Sequence, residues 1–397
     1  MGILKTIRRK LIGIERLARV LRFFVFLQRQ FPWMRPAGII DDAGSWVEEQ
    51  QVMQGWYLSQ SRDWYEEVYP PSHTIFSPPS QLESIPEYTN HFRDILSRRI
   101  PKARLYCFRG ANLYSDQGAV ISRDNRLFGE FTHHFSRNSL RAGEYFKPFK
   151  TFTLKEVYHS EWIALLAAPS GINYYHWIYD VLPRIKLLEK VRPFIELYAL
   201  PSSLSASQLD TLDLLGISKS QILKLLPDKK IFCERLFVPS LSGGPGAVPI
   251  WALQFLRKSF CPGGSPSGQK RKLYISRADA PNRHLLNEPE VVHQLEAEGF
   301  ECVSLSVCSF QEQVRLFSEA SVVVGCHGAG FANLVFASNC RVIELFSSDY
   351  IRPGCYMPLC IQLGHQYQFL IGNSSNQEWG DTVVDIGQLT KLVRQKI

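Results

Sequence analysis

Between Lys272 and Phe346, short apolar runs alternate with helical segments, and a parallel sheet with helical crossovers satisfies that rhythm best. Lys272–Ser276, Phe300–Leu305, Val322–Val324 and Arg341–Phe346 read as strands. Asn287-Glu-Pro-Glu290 and Ser309-Phe-Gln-Glu312 read as helix starts, each a capping residue followed three positions later by Glu. Gly387 to Ile397 reads as a closing helix. This half of the chain is therefore expected to be α/β, with its binding edge where the strands end.

The third of these strands breaks at Gly325, and Gly328 and Gly330 then bracket His327 and Ala329. Phe331 to Phe336 can begin a helix. A strand, a glycine turn and a helix start leave several backbone N–H groups free at the carboxyl edge of a sheet, where the helix dipole adds partial positive charge. That suits a phosphate or diphosphate. The other reading is a tight turn packed under something else, with His327 a hydrogen-bonded core histidine. Arg277 and Arg283 follow the first strand of this half, and guanidinium groups fork onto phosphate oxygens. Glu344 is expected to end an apolar strand, where a carboxylate is costly unless it accepts hydrogen bonds. Two ribose hydroxyls or a neighbouring arginine would satisfy it.

Earlier in the chain, Trp162–Ala168 reads as a buried strand ended by Pro169-Ser170-Gly171. A helix is expected over Ile172–Leu188. On it His176, Asp180 and Arg184 recur at intervals of four and share one face, with Asn173 one turn before. Tyr175, Ile178, Leu182 and Ile185 supply the apolar stripe, and Pro183 should kink the helix and free a carbonyl. The polar cluster is either a surface ion pair on a capped helix or a group facing a ligand. Arg104–Phe108, Ala119–Ser122 and Leu127–Phe128 read as short antiparallel strands. Leu204–Leu215 and Lys219–Leu226 read as helices, and Ile231–Val238 as a strand. Asp41 to about Arg99 gives little beyond irregular structure with short helices.

Cys261-Pro-Gly-Gly-Ser-Pro-Ser-Gly268 is the clearest linker. The organisation expected is a basic arm over 1–35, an N-terminal domain over 36–260, a linker over 261–271 and a C-terminal domain over 272–397 that carries the diphosphate turn. At 397 residues the chain has room for two such cores.

Nine of the 45 basic residues and one of the 37 acidic ones fall within residues 1–35, so the formal charge of +8 belongs to that arm and the body is neutral. A neutral body argues against a nucleic-acid-binding face. Ile3, Leu4, Ile7, Leu11, Ile14, Ala18, Leu21 and Val25 form one apolar stripe among arginines and lysines. Such a helix is expected to lie on an anionic membrane surface, the competing reading being one that docks on the protein itself or on a partner. The nine cysteines are scattered, with no C-x-x-C pair, and read as reduced thiols in a cytosolic setting.

No D-x-D triad occurs, so the common device for holding a divalent metal on a sugar nucleotide is missing. A departing diphosphate would then be met by arginines and backbone amides, and a hydroxyl acceptor would need a base, for which His176 and Asp180 are the candidates. No G-x-G-x-x-G follows any strand, which disfavours a dehydrogenase.

Asn173-Tyr-Tyr-His-Trp-Ile-Tyr-Asp-Val-Leu-Pro-Arg184, Tyr274-Ile-Ser-Arg277 with Arg283 and Asn287-Glu288, Gly325-Cys-His-Gly-Ala-Gly-Phe-Ala-Asn333 and Val342-Ile-Glu-Leu-Phe346 together resemble glycosyltransferase family 61, over roughly Tyr106 to Gly372. The resemblance implies a GT-B architecture of two Rossmann-like domains facing across a cleft. It implies metal-independent transfer, with inversion, from a nucleotide sugar, usually a UDP-sugar, and no cofactor. Arg277, Arg283 and the turn His327, Gly328, Ala329 and Gly330 would bind the diphosphate, and Glu344 the nucleoside side. Asn173, Arg184 and Asn333 join them as substrate-binding candidates, and His176 and Asp180 as catalytic ones. Phe331 and Ala332 stand where many members have Leu and Thr. Eukaryotic relatives act in the secretory lumen behind a membrane anchor. The basic arm and scattered cysteines make the bacterial members of capsule and surface-polysaccharide synthesis the expected kin, working in the cytoplasm at the inner face of the membrane on a glycan or lipid-linked acceptor. The alternatives are a GT-B-fold sugar-nucleotide epimerase and a non-catalytic subunit of a polysaccharide assembly complex.

Overall fold

The computed structural model describes residues 39–53, 63–131, 155–227, 229–244, 246–263, 270–375 and 380–395. The basic arm over 1–35 and residues 264–269 of the linker lie outside them. In chain order the strands are β1 Ile39–Ile40, β2 Trp64–Tyr69, β3 Ser72–Ile75, β4 Ser97–Ile100, β5 Ala103–Tyr114 and β6 Ala119–Ile121. They continue as β7 Leu127–Phe128, β8 Lys155–Leu165, β9 Leu197–Pro201, β10 Ile222–Leu225 and β11 Lys229–Pro239. The last six are β12 Arg271–Ile275, β13 Phe300–Val303, β14 Ala320–Cys326, β15 Arg341–Ser347, β16 Gln366–Ser374 and β17 Thr382–Val383.

These strands form a mixed α/β molecule on two large sheets. The first has the order β1-β7-β6-β5-β11-β8-β9-β10, with β2 also paired to β5. Its half from β11 through β8 and β9 to β10 is parallel, while β5 meets β11 antiparallel. The second has the order β13-β12-β14-β15-β16-β17, parallel except at β17. Its strand order reverses at β12, which has β13 on one side and β14 on the other. In open α/β sheets a crevice opens where the order reverses, beyond the carboxyl ends of the strands.

Parallel strands covered on both faces read as continuous apolar runs, and β14 and β15 do so. Along them the side chains divide by the two-residue period. Val322, Val324, Ile343 and Leu345 join Val291, Leu295 and Leu389 on one face, while Val323 and Val342 enter a core shared with Tyr175, Tyr179 and Ala164 of the first half. Ser309 and Glu312 close the expected capping box at helix Phe310–Ser318. The closing helix runs over Ile386–Arg394, and the buried Arg341 guanidinium takes its last carbonyls, Leu392, Val393 and Gln395.

Four expectations change. Lys219–Leu226 is one 3₁₀ turn, Lys219–Gln221, followed by edge strand β10, because Ile222 and Leu223 find a parallel partner in β9. Asn287 precedes helix Glu288–Ala297 without capping it. Its amide instead donates to the Val384 carbonyl and accepts from the Val384 N–H, tying β17 to this helix. Residues 76–95, expected within the domain over 36–260, pack through Phe76, Phe92 and Ile95 against Phe346, Ile351, Met357 and Phe369 of the second sheet and its loops. Gln81 fixes that contact with two hydrogen bonds to the Phe369 backbone.

The fourth change concerns Ile172–Leu188. It is not one kinked helix but an α turn at Tyr174–His176, a π turn at Trp177–Val181 and a short helix at Arg184–Leu187. Leu182 N–H reaches back five residues to Trp177 O. Pro183 has no N–H to continue the ladder, and the Tyr179 carbonyl that it frees accepts the Ser242 hydroxyl. The expectation of a freed carbonyl is met; the single shared face is not.

Candidate active site

Two histidine–carboxylate pairs face the junction of the sheets. The first stands on the segment after β8: His176 Nδ1 lies 2.6 Å from Asp180 Oδ2. Burial raises the Asp180 pKa, while the hydrogen bond from His176 and the Ser242 hydroxyl act in the opposite direction. Asp180 lines a cavity of about 870 Å³ shared with Ala168, Pro169, Ser240, Gly243 and Gly244. Asn173 is the N-cap of this segment, its oxygen accepting from the Tyr175 N–H.

Arg184 leaves that face. The π turn inserts an extra residue into the repeat, and the guanidinium turns into the core. There it donates to Pro239 O at 2.6 Å and Ala167 O at 2.5 Å. With 1% of its surface exposed, it braces the ends of β8 and β11 and does not open on the cavity. Burial pulls its pKa down to about 9, which still leaves it charged at neutral pH.

The second pair lies at the crevice of the second sheet. His327 follows β14 directly, and its Nδ1 is 2.6 Å from Glu344 Oε1. Glu344 sits in the middle of β15 rather than at its end, wholly buried. Its other oxygen accepts from the Tyr367 hydroxyl at 2.6 Å. The carboxylate is thus satisfied by His327 and Tyr367, in place of the ribose hydroxyls or arginine expected. His327 Nε2 makes no hydrogen bond among the described residues. The ring packs between Phe346, Tyr350 and Tyr356, with centroids 5.5–5.7 Å away.

The glycine turn next to it is built for close approach. A Cβ on Gly328 would lie 2.0 Å from Arg277 Nη1, and one on Gly330 would lie 2.7 Å from Leu305 Cδ1. The Gly328 carbonyl accepts from the Tyr356 hydroxyl at 2.6 Å. The N–H groups of Gly328, Ala329 and Gly330 meet no backbone acceptor among the described residues. The turn continues as a 3₁₀ helix over Ala329–Phe336, where the buried Asn333 side chain is fully occupied. It accepts from Tyr174 and donates to Gln313 and Gly330 O. Asn333 therefore pins the turn to the segment after β8, and with no exposed surface its side chain does not reach a substrate.

Arg277, two residues beyond β12, lies over Gly328. One nitrogen donates to Asn282 O, and its buried Nε has no partner. Arg283, with a φ of 61°, lies over the Tyr350 ring. Burial first and the like charge of Arg283 second pull the Arg277 pKa below its ordinary value. Neither arginine has a carboxylate at ion-pair distance among the described residues; the charge of Asp279 acts on Arg277 without pairing with it. Tyr356 and Tyr367, which hold Gly328 and Glu344, carry no motif or period that would have singled them out in the sequence.

The segment after β8 reaches this crevice directly. Tyr174 bonds Asn333, and Tyr179 donates to Ala332 O at 2.7 Å. A Cβ on Gly246, whose φ is +72°, would collide with Gly354 O, so only glycine lets the loop after β11 meet the loop after β15. No group of three or more His, Cys, Asp or Glu side chains that could hold a metal ion occurs among the described residues.

Residues 174–343 match the family model Glycosyltransferase 61. Similar proteins include an EGF domain-specific O-linked N-acetylglucosamine transferase of Drosophila melanogaster, 30% identical over 38% of this chain and 29% of that one. A β-1,2-xylosyltransferase of Oryza sativa subsp. japonica is 39% identical over 20% of this chain and 19% of its own. The protein O-linked-mannose β-1,4-N-acetylglucosaminyltransferase 2 of Mus musculus is 37% identical over 24% and 17%. The chain thus spans less than a third of the length of each of these relatives. The heptosyltransferase TibC, solved with ADP-D-β-D-heptose, aligns over 78% of this chain and 85% of its own, at 11% identity and a TM-score of 0.30, too slight a likeness to build on. The matched residues begin at the Tyr174 segment and run through the arginine and glycine turns to β15, so the elements that meet at the crevice are the ones that match glycosyltransferase family 61.

Proposed function

We propose that the protein transfers a sugar from a nucleoside diphosphate sugar, with UDP as the expected nucleotide, to a hydroxyl of a glycan or lipid-linked saccharide in surface-polysaccharide synthesis. In this reading the two sheets form the two halves of a GT-B enzyme, and the diphosphate binds at the strand-order reversal of the second. The observation that carries it is Arg277 over Gly328 with Arg283 close enough to act on it, neither having a carboxylate at ion-pair distance among the described residues, and three N–H groups of the turn without a backbone acceptor among them. Guanidinium groups and backbone amides supply positive charge to a departing diphosphate without a divalent ion.

The acceptor hydroxyl enters from the Asp180 cavity. Asp180, supported by His176, takes its proton as the oxygen attacks the anomeric carbon from the face opposite the diphosphate. The bond to the diphosphate breaks, and the configuration inverts. His327, oriented by Glu344, faces the same departing charge.

Thermal melts with a panel of nucleoside diphosphates and their sugars test this, since a ligand bound only by the native state raises the melting temperature. UDP and at least one UDP-sugar should raise it, with and without EDTA. No shift with any nucleoside diphosphate, or a shift abolished by EDTA, contradicts the reading. Product analysis then separates transfer, which needs an acceptor, from epimerisation, which does not.

A further inference from the structure

The hairpin β3–β4 comes from the stretch in which the sequence shows least order, and it carries Arg98 to the seam between the two halves. The residues flanking it pack on the second sheet through Phe76, Phe92 and Ile95. From there the Arg98 side chain lines the same cavity as Asp180. Its Nη2 also lies 3.2 Å from the point a Cβ on Gly354 would occupy, on the loop after β15. The next residue is Cys355, whose thiol is pushed up to about 12 by burial first and Glu344 second, with Arg98, Arg283 and Arg352 acting in the opposite direction. Arg98 therefore stands between the cavity assigned to the acceptor and the arginines assigned to the donor.

Arg98 makes no ion pair there among the described residues. Its Nε is buried and unpartnered, and no carboxylate lies at ion-pair distance among the described residues. The carboxylates lining the cavity do not supply one. Asp180 is held by His176, and Glu130 by the Tyr106 hydroxyl and the Ala43 N–H. Asp94 is exposed, and its charge acts on Arg98 without forming an ion pair with it. A half-buried guanidinium left without a partner costs stability unless an anion completes it, and such groups collect at sites where a charged ligand arrives.

We infer that Arg98 binds the diphosphate of the nucleotide sugar on its leaving-group side, as a third guanidinium beside Arg277 and Arg283. This rests on the donor site proposed above. The position explains why a residue of the N-terminal segment crosses to the second sheet: the diphosphate is gripped from both halves, so the bond that breaks lies between Arg98 and the Asp180 base.

The test uses the full chain, with UDP and UMP affinities measured by calorimetry for the native protein and for Arg98→Ala, Arg98→Met and Arg98→Lys. Arg98→Met keeps the aliphatic packing, and its melting temperature without ligand should match or exceed that of the native protein, which separates binding loss from misfolding. UDP affinity should fall about tenfold or more in the Ala and Met variants and recover in part in the Lys variant. UMP, which lacks the second phosphate, should bind all four proteins alike. Native UDP affinity in Arg98→Met overturns the inference, as does a rise confined to the KM of an acidic acceptor, or an equal loss for UDP and UMP. A native chain that binds no nucleoside diphosphate defeats the donor site itself. A native chain that binds UDP while the variants do so equally well defeats only the role of Arg98.

Discussion

His327 Nδ1 and Glu344 Oε1 stand 2.6 Å apart, and the carboxylate has no solvent contact at all. An ionised Glu344 can only accept, so Nδ1 carries the proton of that hydrogen bond and Nε2 is the ring nitrogen left over. Tyr367 donates to the second carboxylate oxygen and fixes its plane.

Glu344→Gln should therefore act through His327. The amide fits the space but its single oxygen and its NH₂ group cannot accept from both His327 and Tyr367 as the carboxylate does. We expect UDP affinity to fall about tenfold and stability to drop by about 1–3 kcal/mol, the cost of a mismatched buried polar group. Isothermal titration with UDP and urea unfolding read the two effects. UDP binding at native strength in Glu344→Gln would show that the orientation of His327 is irrelevant to the donor.

Gly328→Ala tests the close approach of Arg277. The backbone at Gly328 is extended, so alanine adopts it without strain. The added methyl instead meets the Arg277 guanidinium, the mobile end of a long side chain, and pushes it off the turn. The variant should fold within about 1 kcal/mol of the native protein and lose UDP affinity about as severely as Arg277→Ala. An alanine variant that binds UDP normally would place the diphosphate elsewhere.

Much of this site was legible because its chemistry is local in sequence. The run Val322–Val324, broken at Gly325, gave the strand and its turn, and the capping box at Ser309 gave the next crossover. Glu344 was singled out correctly as a carboxylate needing partners, but the partners came from Tyr367 on a neighbouring strand and from His327, which only the sheet register brings together. Arg184 failed for a different reason. Four-residue spacing assumes an α-helix, and Pro183 with the π turn at Trp177–Val181 breaks that period. Arg98 carried no signal, since a hairpin with one arginine among several has no motif until its flanks pack on a distant sheet.

Arg184→Met should separate bracing from binding. Removing the guanidinium leaves the Ala167 and Pro239 carbonyls buried without donors, each costing about 1–3 kcal/mol. Urea unfolding should show a loss of about 2–5 kcal/mol, while the UDP affinity of the protein that remains folded stays within about twofold of native. A variant of native stability with a raised donor KM would return Arg184 to the substrate.

Asp180 gives the pH prediction. Burial raises its pKa, so the ionised base is lost as pH falls at a higher pH than for an ordinary carboxylate. The acid limb of the turnover profile should reflect that upward shift. For stability the sign is opposite to that of a salt-bridged acid. In the window between the unfolded pKa and the raised folded one, the folded state binds more protons, so stability declines as pH rises through it. Above that window the native protein bears the full cost of a buried charge. Asp180→Asn removes that charge, so its melting temperature near neutral pH should equal or exceed the native value, while turnover falls by about 10²–10⁴ and UDP binding persists. A variant that is less stable at neutral pH yet turns over at the native rate would mean that Asp180 is a structural acid and that the base lies elsewhere in the cavity.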